Sequence, residues 1–97
     1  VKAILVVGNS VLEEDIKAVL EEVEVDGYTQ WSGVKGTGGS GPHLGTPIWP
    51  SLNEAFFIMV DDEKADRILE KFKKMREKEE VRKEGLEIFF WEAGRLE

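Results

Sequence analysis

Asn53-Glu54-Ala55-Phe56-Phe57-Ile58-Met59-Val60 decides the fold, and it breaks off at Asp61-Asp62. A short apolar run rich in aromatic and branched side chains, bounded by polar residues, reads as a strand. Strand side chains alternate between faces. Ala55, Phe57 and Met59 therefore share one side, and Phe56, Ile58 and Val60 share the other. Both sides are apolar, whereas a sheet face open to water alternates to polar residues. This strand demands cover on two faces.

Downstream, Asp61 or Asp62 supplies an N-cap, and Ala65, Ile68, Leu69, Phe72 and Met75 follow at helical spacing. Glu63 with Arg67 and Glu70 with Lys74 are i,i+4 pairs that support this helix. The charged run from Arg76 to Glu84 frays into a turn at Gly85, and Leu86 to Trp91 is the last strand. Upstream, Lys2 to Gly8 is the first strand. Ser10 and Glu13 match a capping box, opening a helix whose apolar positions are Leu12, Ile16, Val19, Leu20 and Val23. Glu13, Glu14 and Asp15 lie in its first turn, where the helix dipole favours acids. Asp26-Gly27 is a turn, and Gly27 to Val34 is a weaker strand carrying Tyr28 and Trp31.

The order is β-α-β-β-α-β. That is the ferredoxin-like arrangement, an α+β fold with a four-stranded antiparallel sheet and two helices on one face. One such domain spans residues 1–97. Both sides stay apolar in three strands: Ala3, Leu5 and Val7 against Ile4 and Val6 in the first, Ala55, Phe57 and Met59 against Phe56, Ile58 and Val60 in the third, and Leu86, Ile88 and Phe90 against Phe89 and Trp91 in the last, so one apolar face is left over. A bare apolar patch of this kind marks an interaction surface. The expectation is a homo-oligomer that buries it against copies of itself, with the triple Phe89-Phe90-Trp91 serving core and interface.

Composition excludes several classes. The 97 residues carry 20 acids against 13 lysines and arginines, a net charge of −7, which argues against nucleic-acid binding. No apolar run approaches the ~18 residues of a membrane span. Val1 to Val7 is too short for a signal peptide, and the absence of cysteine removes disulfides and thiolate chemistry. A cytoplasmic protein without membrane insertion is expected.

The connection from Gly33 to Leu52 is long for a compact domain, and such loops are commonly functional. Gly36 to Gly41 matches G-x-G-x-x-G, but Pro42 follows and no helix opens there, so it is no dinucleotide fingerprint. Nor does a Lys-Ser/Thr pair follow Gly41, as a phosphate-binding P-loop requires. No acid lies between Asp26 and Glu54, where Lys35 is the one strong base. Glycine backbone can form anion-binding nests. The candidate ligand-binding residues are Lys35, Gly36, Thr37, Gly38, Gly39, Ser40, Gly41 and His43, flanked by Trp31 and Trp49. His43 is the single histidine, and a metal site needs further ligands that this loop lacks. Ser40 and Ser51 near His43 do not make a triad by spacing alone. No catalytic residue is assigned, and no enzyme is expected.

The order of elements resembles PII-like proteins, relatives of the nitrogen regulatory protein PII. So do Gly27-Tyr28-Thr29-Gln30-Trp31, Gly38-Gly39-Ser40-Gly41-Pro42-His43-Leu44-Gly45-Thr46 and Trp49-Pro50-Ser51-Leu52-Asn53. The resemblance implies a homotrimer with inward-facing sheets, ligand clefts between subunits, and a T-loop from Lys35 to Ser51 that contacts a partner protein. It departs at Glu80-Val81-Arg82-Lys83-Glu84-Gly85-Leu86-Glu87, where PII has a glycine-rich phosphate loop. One glycine stands there, and Glu87 falls where a basic residue is expected. The PII manner of ATP binding is therefore not carried over, while Arg82, Lys83 and Arg95 remain possible anion contacts. The expected function is a signalling protein that senses a small anionic effector. The alternatives are a divalent-metal trimer like CutA and, behind it, a small enzyme using the cleft.

Overall fold

A computed structural model describes residues 1–39, 41–46 and 51–97. The chain runs through β1 (Lys2–Asn9), α1 (Glu13–Glu22), β2 (Thr29–Val34), β3 (Gly36–Gly38), β4 (Gly41–His43), β5 (Asn53–Val60), α2 (Asp62–Arg76), α3 (Glu79–Glu84) and β6 (Leu86–Glu92). The main sheet has the order β2-β5-β1-β6, and all its pairs are antiparallel. β3 and β4 form a separate two-stranded ribbon. This is the α+β ferredoxin-like architecture expected from the order of elements.

β5 alternates as its sequence demands. Phe56, Ile58 and Val60 are buried on the helix side with Ile4 and Val6 of β1 and Leu86 of β6. Ile16, Val19 and Leu20 of α1 and Ala65, Ile68 and Phe72 of α2 close this core. Each fully buried side chain of the Phe or Ile kind contributes about 1.5–3 kcal/mol. Asp61 caps α2, its Oδ1 accepting the Lys64 N–H at 2.8 Å.

Among the described residues no helix covers the opposite face. Register places Thr29, Phe57, Leu5 and Phe89 in one row across the sheet, and Trp31, Ala55, Val7 and Glu87 in the next. Phe89, Trp91 and Trp31 are 53%, 45% and 50% exposed, so the aromatic surface of this face lies open. The Phe57 and Trp91 rings meet at 6.3 Å between centroids. Phe90 pairs with Ile4 on the helix side, yet it sits on the edge strand and is 55% exposed. The Phe89-Phe90-Trp91 triple thus contributes nothing to the core of the isolated chain.

Two local expectations are corrected. The capping box at Ser10 and Glu13 does not form. Asn9 accepts the Val11 N–H at 3.0 Å and starts a 3-10 turn over Ser10–Leu12, and α1 follows with no side-chain cap. The Ser10 hydroxyl turns inward instead, 2.9 Å from the Leu52 carbonyl and 3.1 Å from Glu54 Oε2. A buried carboxylate needs that donor more than a solvated helix end does. Second, the run Arg76 to Glu84 does not fray. It folds into α3, anchored by buried Val81 and ended by Gly85 at φ 95°.

Candidate functional site

The glycine-rich connection gains its shape from the first two residues of β5. Asn53 Oδ1 lies 2.6 Å from His43 Nδ1. An amide oxygen only accepts, so Nδ1 carries the proton. Gly36 is paired with His43 across the ribbon, and a Cβ at Gly36 would lie 2.9 Å from Asn53 Nδ2. The Asn53 amide thus touches both strands of the ribbon, and Gly36 leaves room for it. His43 is only 8% exposed.

Glu54 fixes the other end. Its carboxylate accepts the Gly33 N–H at 3.1 Å and Gln30 Nε2 at 2.9 Å, besides the Ser10 hydroxyl. Gly33 has φ 67°, a left-handed conformation suited to glycine, where β2 shifts register between Trp31 and Val34. Burial pushes the Glu54 carboxyl up, but the Ser32 hydroxyl, the Gly33 N–H, Gln30 and Ser10 outweigh it and hold it below its ordinary value. Gln30 Nε2 also reaches Glu13 Oε2 at 2.7 Å. Bonds from Lys17 and Gln30 hold the Glu13 carboxyl low as well.

The ribbon lines a cavity of about 480 Å³ together with Val7, Val34, Gly85 and Leu86. Gly36, Gly38, Gly39 and Gly41 line it, with Thr37, His43 and Asn53. Three cations and one carboxylate complete the described lining: Lys35, Arg76, Arg82 and Glu87. Arg82 Nη1 donates to the carbonyls of Arg76 and Glu77 at 3.1 and 2.7 Å, closing the end of α2. Arg76 Nη2 faces Glu87 Oε1 at 3.6 Å. Lys35 has no ion-pair partner among the described residues. Cations beside glycine backbone suit an anionic group.

A second cavity of about 500 Å³ lies between α1, α2 and α3. Asp15, Glu22, Glu80 and Glu84 line it together with Lys71, Lys74 and Lys78, and no glycine is among its described lining. Its net charge favours neither sign of ligand.

The structure brings together Lys35, Gly36, Thr37, Gly38, Gly39, Gly41, His43 and Arg82. Ser40 and Trp49 lie outside the described residues. Trp31 stands on the bare sheet face and does not line the cavity. Lys83 is paired with Glu79 on the surface at 3.7 Å. Arg95 follows β6, whose other end, at Leu86, meets the cavity. Arg76 and Asn53 were not among the sequence candidates. Asn53 ends the stretch Trp49-Pro50-Ser51-Leu52-Asn53, the sequence signal that points to it. Among the described residues no three His, Cys, Asp or Glu side chains converge as a metal site would need.

The sheet order and the ribbon-walled cleft define a small ferredoxin-like protein with an anion-suited pocket beside its longest loop. The chain belongs to the P-II family: the family model "Nitrogen regulatory protein P-II" matches residues 1–92. Among solved structures it is similar to CPII, a nitrogen regulatory PII-like protein from Thiomonas intermedia K12 bound to ADP, AMP and bicarbonate. The TM-score is 0.75 at 20% identity, covering 93% of this chain and 82% of that one. The apo form of CPII gives 0.65 at 17% identity, covering 98% and 92%. A PII-like signalling protein from Thermus thermophilus gives 0.67 at 20% identity, covering 93% and 83%. The comparison with curated proteins gives no match. Among the described residues no helix is long and apolar enough to cross a membrane.

Proposed function

We propose that this P-II family protein is a cytoplasmic sensor of a small anionic effector, taken up in the cleft beside the glycine ribbon. The observation that carries the reading is the cavity itself, which Lys35, Arg76 and Arg82 line together with the glycine backbone of the ribbon. The ADP, AMP and bicarbonate held by CPII are anions of the matching class. Differential affinity for one arrangement of the loop would convert occupancy into a change in what a partner protein meets. The apolar sheet face supports a homotrimer, which would set this cleft near a subunit boundary. The sensor would do no chemistry of its own.

Calorimetric titration with ADP, AMP and bicarbonate, paired with hydrogen exchange over residues 35–46, tests the reading. Saturable binding with slowed exchange in that segment is expected. If instead only Cu²⁺ or Zn²⁺ shifts stability, and His43→Ala abolishes the shift, the metal reading replaces it. Light scattering is expected to give about three times the chain mass at micromolar concentration.

A further inference from the structure

Among the described residues the cavity is lined by one acid, Glu87, beside three cations. Glu87 Oε1 sits 3.6 Å from Arg76 Nη2, and both residues line the cavity. The register of β6 fixes it there, opposite Val7, which also lines the cavity. Neither of the other lining cations pairs with Glu87. Arg82 has one nitrogen committed to the end of α2. Arg76 also closes α2, where the helix dipole is negative. Lys35 is thus the one lining cation engaged with neither carboxylate nor carbonyl among the described residues.

We infer that Glu87 is a specificity residue of this cleft: its carboxylate occupies the Arg76 guanidinium and penalises ligands in step with their negative charge. The inference rests on the anion-sensing reading above. The site then selects small anions of low charge over polyphosphates, because each added ligand charge meets the same fixed carboxylate. Removing one charge several ångströms from the ligand, in a water-like dielectric, changes affinity about threefold per unit of ligand charge. Salt weakens this effect, since the Debye length is about 10 Å at 0.1 M.

AMP, ADP and ATP without Mg²⁺ carry the same adenosine and stepwise higher charge. Their dissociation constants are measured by calorimetry at low salt for the wild type, Glu87→Gln and Glu87→Asp. Glu87→Gln keeps the shape, and its gain in affinity is expected to grow from AMP to ADP to ATP, about threefold at each step. Glu87→Asp keeps the charge and is expected to keep the wild-type order. Wild-type binding with no gain in Glu87→Gln, or an equal gain for all three nucleotides, overturns the inference alone. Failure of the wild type and both variants to bind any nucleotide or bicarbonate overturns the anion-sensing reading, and this inference with it. Circular dichroism checks that the variants, changed at a well-exposed side chain, remain folded.

Discussion

Glu54 is 4% exposed and charged, which is tolerated only because donors from two segments, Ser10 and the β2 residues Gln30 and Gly33, converge on it. Glu54→Gln replaces one acceptor oxygen by an NH₂ that faces Gln30 or Gly33 donors. The expected cost is about 1–3 kcal/mol, read from urea unfolding. The folded carboxyl titrates below its ordinary value, so its contribution is complete above the usual glutamate range, about 4.3. It is lost as pH falls through the lower folded value. Glu13 adds in the same direction. Melting temperature is therefore expected to drop below about pH 4.3 in the wild type and to drop less in Glu54→Gln. Asn53 has a different role. Asn53→Ala removes the acceptor of His43 Nδ1 and the amide that touches Gly36. Hydrogen exchange at Gly36 to His43 is expected to accelerate about tenfold or more, matching a loss of about 1–3 kcal/mol. β1 and β6 should keep their protection. Unchanged exchange in the ribbon would show that Asn53 does not hold it.

At the scale of elements, Arg82 links α3 to α2. Its Nη1 reaches the Arg76 and Glu77 carbonyls, which the helix itself leaves unpaired. Arg82→Ala is expected to cost about 1 kcal/mol in urea unfolding and to weaken anion binding together with it. Arg82→Lys keeps the charge but not the planar fork, so it should restore binding better than stability. The main elements were legible because their apolar residues repeat with strand or helix period, as in Phe56-Ile58-Val60 and Ile68-Phe72. α3 was not legible, because Val81 is its one buried residue and a period needs more than one. The ribbon escaped for another reason. Gly36-Thr37-Gly38 and Gly41-Pro42-His43 have poor strand propensity, and contacts from Asn53 help to hold them. The pocket's glycines and Lys35 could be read in one continuous stretch. Arg82 was legible only through the family resemblance, and Arg76, at the end of α2, carries no mark in linear spacing that sets it beside the glycine ribbon.

At the scale of the molecule, the sheet carries two apolar faces and the helices cover one. Leu5 lies at the centre of the uncovered face, between Phe57 and Phe89 in its row. The open rings of Trp31, Phe89 and Trp91 flank it. A lone protomer would hold this surface in water at a cost of about 25 cal/mol for each Å² of apolar area. Self-association removes that cost, and the low charge of the face does not oppose it: Glu87 is the acid in the Trp31-Ala55-Val7 row, and it sits at the cavity end. Leu5→Glu places a carboxylate in the middle of the face. If copies meet there, the charge must be buried without a partner, which is strongly unfavourable. Light scattering of Leu5→Glu is expected to give about one chain mass where the wild type gives about three. Leu5 is half-buried and points away from the helix core, so circular dichroism should still report a folded protomer. A variant that stays at three chain masses would mean that the copies associate through another surface. Wild type that scatters as a monomer would leave the apolar face to a different protein.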